Sequence, residues 1–243
     1  MSEDKRLLLL DAVEWAPVYP LDHTLRNVPR WFLRHFQDHS NVHWDVRHYS
    51  DLPLDEPVSK FDGVVMTGAP RDAWSQDPVN DRMCDVVRAC MDASVPYLGV
   101  CYGHQILGRT LGAEVGRHPE GLQLGPVEME LTDAGLEDPL FEGLDSSFKA
   151  LSGHADYVSE LPSGCEHLAT GGVTPMQGIR CGAKTYGVQF HPEMDASILK
   201  FLWEARVEDW QARVSFDLEA RVAAIHDTPQ ATQVLLNFVE RIV

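Results

Sequence analysis

Residues 95–109 read Val-Pro-Tyr-Leu-Gly-Val-Cys-Tyr-Gly-His-Gln-Ile-Leu-Gly-Arg. The apolar run at 97–100 predicts a buried strand, and the apolar spacing after Gly103 predicts a helix. Cys101 therefore lies on a sharp strand-to-helix turn, where Gly99 and Gly103 allow the backbone to bend tightly. Such a turn places its side chain at the carboxyl edge of the sheet, where open α/β sheets bind ligands.

The residues before this turn predict a parallel sheet. Apolar runs of strand length alternate with segments of helical spacing, which is the pattern of β-α-β units. A loop containing Pro and Trp follows the first strand as far as Asp22 and could border a pocket. The third strand ends at Gly68-Ala69-Pro70, so the next loop should face Cys101. The predicted elements are strands 7–13, 42–49, 61–67 and 97–100, and helices 25–39 and 79–93.

The second half of the chain has a different sequence pattern from the first half. Short β-like runs separated by Gly and Pro predict an antiparallel or mixed arrangement, and helical spacing returns from Ala196. We expect residues 1–243 to form a single domain with a mixed, mostly parallel open α/β sheet, flanking helices and a C-terminal helical cover. The predicted runs are strands 127–131, 167–170, 176–180 and 185–190 and a last helix 228–242.

Composition excludes several classes of partner. The formal charge is −17, with 20 Lys plus Arg against 37 Asp plus Glu, which argues against nucleic acid and anionic membranes. The apolar run at 7–10 is too short for a signal peptide or a membrane span. The five cysteines are odd in number and scattered, so we expect no disulfide framework and a cytoplasmic location.

No cofactor or metal site is expected either. The chain has no Gly-rich ATP-binding loop of the Walker type. His35 and His39 have the i, i+4 spacing of some metal ligands, but no third ligand with recognisable zinc spacing accompanies them.

A thiol at neutral pH is a weak nucleophile until a base or a positive charge converts it to thiolate. His191 is the best candidate partner for Cys101 because it follows a strand-like run and so lies where another strand of the sheet would end. Glu193 lies two residues further on, and residues i and i+2 of an extended segment point to the same side. The carboxylate can then orient the imidazole, which predicts a Cys-His-Glu triad.

Two motifs resemble those of a known family. Gly99-Val-Cys-Tyr-Gly-His-Gln105 and Gln189-Phe-His-Pro-Glu193 resemble the core motifs of class I (triad-type) glutamine amidotransferases. The resemblance covers most of the chain, including residues 67–70, 116–125 and 152–156, and is strongest to the stand-alone branch. It implies a flavodoxin-like amidotransferase fold.

The resemblance also implies a reaction. The Cys101 thiolate would attack the γ-carboxamide carbon of glutamine and form a γ-glutamyl thioester. His191 would protonate the departing ammonia and then activate a water, while Glu193 orients the ring. The backbone N–H groups of Ala69 and Tyr102 would form the oxyanion hole.

Further positions match family contacts to the bound glutamine, namely Gly68, Gln105, His154, Ala155 and Asp156. Two residues depart from the pattern. Ala69 stands where a Gly is frequent, and a positive φ there would strain the loop. Gly153 stands where Ser or Trp is frequent, which affects the outer part of the substrate pocket.

The function implied first is a cysteine-dependent glutaminase that releases ammonia for a separate synthetase or acceptor-modifying enzyme. The nearest alternative keeps the triad and hydrolyses γ-glutamyl amides or peptides. A third alternative is a non-catalytic redox or regulatory protein that uses a reactive Cys101. The His191 and Glu193 pair disfavours that alternative, because a sensor thiol needs no general acid for a leaving amine.

Overall fold

The computed structural model describes residues 4–19 and 22–243. Residues 20–21 of the predicted pocket-bordering loop, and residues 1–3 of the predicted domain, lie outside the described residues. The described strands are β1 Lys5–Asp11, β2 Val42–His48, β3 Gly63–Met66, β4 Tyr97–Val100, β5 Val115–Arg117, β6 Gln123–Leu131, β7 Ser147–His154, β8 Asp156–Val158, β9 Cys165–Gly171, β10 Thr174–Cys181 and β11 Thr185–Val188.

Nine strands form one sheet in the order β2-β1-β3-β4-β11-β10-β9-β6-β7, and β5 pairs with β8 separately. The strands from β2 to β11 in this order are parallel, and those from β11 to β7 are antiparallel. Val100 lies directly opposite Val188, so β4 and β11 end at the same edge of the sheet. The predicted mixed α/β sheet flanked by helices is confirmed, and this register determines where the site forms.

Apolar residues on both faces explain the uninterrupted run in β1. Leu7 and Leu9 belong to one hydrophobic cluster, whereas Leu8 and Leu10 belong to another on the opposite face. A strand covered on both faces is apolar throughout, unlike a half-exposed strand. The covering helices are α1 Val28–Leu33, α2 Pro78–Asp92, α3 Tyr102–Thr110, α4 Asp133–Leu136, α5 Ala196–Glu204, α6 Val207–Gln211, α7 Leu218–Ala223 and α8 Gln233–Asn237.

Two predicted helices are interrupted. The segment predicted at 25–39 divides into a 3-10 turn, α1 and a second 3-10 turn, since the Asn27 side chain caps α1 at the N–H of Arg30 and Pro29 lies in its first turn. The last helix begins as a 3-10 turn at Pro229–Thr232 and ends as a π-helical turn at Phe238–Ile242. In the described part of the chain, no helix has the length and apolarity to cross a membrane.

The expectation of no disulfide is wrong for one pair. Cys165 and Cys181 lie opposite each other on β9 and β10 and form a disulfide. Sequence spacing did not reveal it, because the hairpin that joins the two strands contains register irregularities. Cys84, Cys90 and Cys101 are free and buried.

Candidate active site

The turn at Cys101 is strained and tightly packed. Cys101 has φ 51° and ψ −100°, a conformation that L-residues other than glycine rarely adopt. A Cβ atom on Gly99 would lie 2.3 Å from the carbonyl oxygen of Gly103, and one on Gly103 would lie 2.6 Å from that of Met66. Only glycine permits this approach of helix α3 to strands β3 and β4, and the approach presents the thiol at the sheet edge.

Backbone hydrogen bonds bring the candidate triad together. The N–H of Cys101 donates to Val188 O at 2.8 Å, which ties the turn to the end of β11. The N–H of His191 donates to Leu151 O at 2.8 Å and fixes the segment that follows β11 against β7. The His191 ring interacts electrostatically with Cys101, and its Nδ1 lies 2.8 Å from Glu193 Oε1. All three residues are buried.

Electrostatics favours the protonated form of His191. Burial alone lowers the pKa of the ring, but the negative charges of Glu193 and Cys101 outweigh it and raise the pKa to about 10. The imidazolium form of His191, which can donate a proton, is therefore its resting form at neutral pH. Acylation of the sulfur would remove the Cys101 charge, so the pKa of His191 would fall and the ring could act as a base.

Arg34 holds the segment that carries Glu193. Its Nη2 donates to Glu193 O at 2.9 Å, and its Nη1 lies 2.5 Å from Asp195 Oδ2. Asp195 in turn caps α5 by accepting from the N–H of Ile198. The sequence offered no signal for this role, because Arg34 is distant in the chain and belongs to no motif.

The loop after β3 lies directly against Cys101 and His191. A Cβ on Gly68 would lie 3.0 Å from His191 Cε1 and 3.3 Å from Cys101 Cβ. Among the described residues outside glycine, only Ser94 and Cys101 have a positive φ, so Ala69 is not strained. Tyr102 begins α3, and N–H groups in the first turn of a helix have no acceptor within the helix. This geometry is compatible with the N–H groups of Ala69 and Tyr102 as oxyanion donors, and their role stays a prediction.

Two clefts meet at Cys101. The first, the polar cleft, has a cavity volume of about 250 Å³ and is lined by four of the five predicted substrate residues, all except Gly68. Within it the Gln105 amide donates to Asp156 O at 2.9 Å and Gln189 Oε1 at 3.1 Å, so Gln105 supports the cleft wall. The lining comprises Ala69, Pro70, Arg71, Asp72, Cys101, Gln105, Arg117, Gly153, His154, Ala155, Asp156, Trp203, Arg206, Trp210 and Arg213.

Asp156 is the buried acidic residue of the polar cleft, which Asp72 also lines. Burial raises its pKa to about 6, although the nearby Arg117 guanidinium, 3.1 Å away, opposes the shift. The indole N–H of Trp74 donates to its Oδ2 at 3.1 Å. Burial also lowers the pKa of His154 to about 3, so that ring is neutral at neutral pH. The cleft can therefore offer both a carboxylate and arginines to a zwitterionic α-amino acid head.

The second, the apolar cleft, lies on the His191 side of Cys101 and has a cavity volume of about 80 Å³. Gly153 shapes its base, because a Cβ there would lie 2.9 Å from Leu199 and 3.0 Å from Trp203 of α5. The glycine thus allows α5 to pack against β7. The lining comprises Val13, Glu14, Trp15, Tyr19, Val28, Trp31, Gly68, Ala69, Pro70, Cys101, Gly153, His191, Glu193, Met194, Leu199, Leu202, Trp203 and Arg206.

The sequence analysis did not predict several of the residues that line the two clefts. The Arg71 side chain is only 12% exposed, since it pairs with Asp77 and Glu14. Trp203 and Arg206 line both clefts from the C-terminal helices, which had been interpreted only as a cover. In residues 4–19 and 22–243, no group of three or more His, Cys, Asp or Glu side chains is arranged to hold a metal ion.

Residues 30–200 match the model of the family "Glutamine amidotransferase class-I". The chain belongs to this family. The match contains Cys101, His191 and Glu193 and ends before most of the C-terminal helices.

Relatives of this class I amidotransferase are named for different functions. A GMP synthase (glutamine-hydrolyzing) of Aeropyrum pernix is 36% identical over 141 residues, which cover 58% of this chain and 26% of that protein. γ-Glutamyl peptidase 5 of Arabidopsis thaliana is 32% identical over 160 residues, or 64% of each protein. The chain spans only about a quarter of that GMP synthase.

The fold is also that of a solved amidotransferase structure. A glutamine amidotransferase from Thermotoga maritima superposes with a TM-score of 0.75 over 99% of both chains, at 21% identity. At this identity the likeness establishes the fold alone.

Proposed function

We propose that this chain hydrolyses the γ-glutamyl C–N bond of glutamine through a thioester on Cys101. The observation that carries the proposal is the buried Cys101–His191–Glu193 arrangement, in which His191 Nδ1 lies 2.8 Å from the Glu193 carboxylate. The polar cleft on one side of Cys101 offers Asp156 and several arginines for the α-amino and α-carboxylate groups.

The thiolate attacks the γ-carbonyl carbon, and the C–S bond forms as the oxyanion is stabilised by the N–H groups of Ala69 and Tyr102. The C–N bond then breaks, and the His191 imidazolium gives its proton to the leaving nitrogen. Neutral His191 next takes a proton from water, which attacks the thioester and releases glutamate. Glu193 fixes the ring tautomer and stabilises the imidazolium throughout.

The released ammonia would pass to a separate synthetase or acceptor-modifying enzyme. The GMP synthase relatives support this use, since their names join glutamine hydrolysis to a synthase. A second candidate, γ-glutamyl amide or peptide hydrolysis, is supported by the γ-glutamyl peptidase relative and by the apolar lining of the cleft beside His191. Both uses employ the same thioester chemistry, and we propose a cytoplasmic location for either.

The direct test is incubation of the purified chain with glutamine and with γ-glutamylglycine, followed by measurement of glutamate, ammonia and glycine. We expect glutamate and the leaving amine to appear in equal amounts, and Cys101→Ala to abolish both. If neither substrate is hydrolysed by the wild-type chain, the proposal is wrong.

A further inference from the structure

The aromatic and aliphatic part of the apolar cleft, beyond the triad that it borders, has no role in the proposed hydrolysis of glutamine. Ammonia is small and polar, and needs no apolar wall. The cleft has a cavity volume of about 80 Å³ and, like sites that bind small organic molecules, is lined mainly by apolar side chains. Its walls are aromatic and aliphatic side chains, most of them buried, including Trp31, Tyr19, Leu199 and Trp203.

The position of His191 assigns the direction in which the leaving group departs. Cys101 lines both clefts, whereas His191 and Glu193 line only the apolar cleft. The leaving nitrogen must lie within hydrogen-bond reach of the group that protonates it. If the glutamyl head occupies the polar cleft with Asp156, the leaving nitrogen and any substituent on it point into the apolar cleft.

The aromatic wall is a built feature of the fold. The rings of Trp15 and Tyr19 are 5.2 Å apart, and those of Trp15 and Trp31 are 6.1 Å apart, both in edge-to-face contact. The Tyr19 hydroxyl donates to Leu202 O at 2.7 Å, which joins the loop after β1 to helix α5. Edge-to-face pairs of this kind favour a defined wall and a further aromatic ring against it.

Much of this wall comes from outside the segment that matches the family. The family model covers residues 30–200. Trp15, Tyr19 and Val28 precede that segment, and Leu202 and Trp203 follow it. The triad and the polar cleft thus lie mainly in the family segment, while the apolar cleft is completed by this chain's own flanking segments.

We propose that the apolar cleft is the leaving-group subsite for γ-glutamyl amides whose amine carries an aromatic or branched aliphatic substituent. The inference deepens the proposed function and rests on its thioester chemistry. The substituted amine leaves as the C–N bond breaks, takes its proton from His191 and departs through the apolar cleft. Water then releases glutamate from the thioester. Glutamine stays a substrate, but one that leaves this cleft empty.

The test compares kcat/KM for γ-glutamylphenylalanine, γ-glutamylglycine and glutamine, measured from glutamate release. Burial of the phenyl side chain in the cleft should favour γ-glutamylphenylalanine over γ-glutamylglycine by about ten-fold or more. A variant with a narrowed cleft, Leu202→Trp, should reduce that ratio to about one, since the indole occupies the space of the phenyl ring.

The control is Leu236→Trp, because Leu236 is also a half-buried helical leucine packed on the same core but does not line the cleft. Its ratio should equal that of the wild type. Ratios taken within one variant cancel any loss of folded protein.

Two results would overturn the inference while the proposed function stands. One is equal or better turnover of γ-glutamylglycine than of γ-glutamylphenylalanine by the wild type. The other is a ratio for Leu202→Trp that equals the wild-type ratio. If no γ-glutamyl compound is hydrolysed at all, the inference fails together with the proposed function.

Discussion

Replacement of Glu193 by Gln tests the electrostatic account of the site. This substitution removes the negative charge that faces His191 Nδ1 at 2.8 Å and keeps nearly the same side-chain volume. Both side chains are buried, with 6% and 1% exposure, so solvent screens the interaction little. The variant therefore isolates the charge from the packing.

The magnitude follows from the geometry. Two unit charges about 4 Å apart interact by about 4 kcal/mol at an effective dielectric constant of about 20. One pKa unit corresponds to about 1.4 kcal/mol, so loss of the charge should lower the pKa of His191 by about three units. The pKa would then fall from about 10 to near its ordinary range, and the imidazolium form of His191 would be present in only part of the molecules at neutral pH.

Two assays follow the change. The rate of Cys101 alkylation by iodoacetamide is measured against pH, with the labelled peptide identified by mass spectrometry because Cys84 and Cys90 are also free. The kcat for glutamine or γ-glutamylphenylalanine is measured alongside. We expect an altered pH profile of alkylation, and kcat lower by on the order of 10²-fold or more, since the amide also favours the wrong ring tautomer.

The matched control is Glu240→Gln. Glu240 Oε1 lies 3.0 Å from His39 Nε2, so it forms a second His–Glu pair, but an exposed one. This variant should leave both assays unchanged. An alkylation profile of Glu193→Gln that overlays the wild-type profile, with kcat within about three-fold, would refute the reasoning.

Three further predictions concern strain, pH and packing. Because Cys101 has φ 51°, the free energy of unfolding measured in urea should be about 1 kcal/mol or more higher for Cys101→Gly than for Cys101→Ala. Equal values would show that the turn is unstrained. Burial raises the pKa of Asp156 to about 6, so KM should rise as pH falls through 6 in the wild type but not in Asp156→Asn. The folded state disfavours the ionised carboxylate, so Asp156→Asn should have a higher melting temperature than the wild type at pH 8. This difference should disappear below about pH 4, where the carboxylate is protonated in both the folded and the unfolded state. A lower melting temperature of Asp156→Asn at pH 8 would contradict this prediction. Gly99→Ala, whose methyl group would lie 2.3 Å from Gly103 O, should lower the free energy of unfolding by about 2 kcal/mol or more, whereas Gly116→Ala, with open space around it, should change it little.

The parallel half of the fold could be predicted because its signals are local. Runs of about four apolar or glycine residues identify β1, β3 and β4 without knowledge of the sheet order. The proximity of Cys101 and His191 followed from one topological rule, since both were expected at strand ends along the same edge. The orientation of the His191 ring depends on side-chain packing, and the placement of the oxyanion donors depends on the backbone conformation of two loops. Sequence spacing determines neither.

The features that could not be predicted depend on long-range packing. Trp15, Trp31 and Trp203 come from separate parts of the chain, and none lies in a recognisable motif. The disulfide between Cys165 and Cys181 depends on the register of two irregular strands. The segment 25–39 contains helical turns, as its apolar spacing predicts, but Asn27 and Pro29 divide it. A capping side chain and a proline define the start of a helix more strongly than apolar spacing does.

The measurement that tests the central claim most directly is the mass spectrum of the chain quenched in acid during turnover of a γ-glutamyl substrate. The account predicts a covalent adduct with the mass of one γ-glutamyl group on the peptide that contains Cys101, and its release by hydroxylamine, as expected of a thioester. Hydrolysis that continues in Cys101→Ala, or an adduct found on Cys84 or Cys90 instead, would contradict the account.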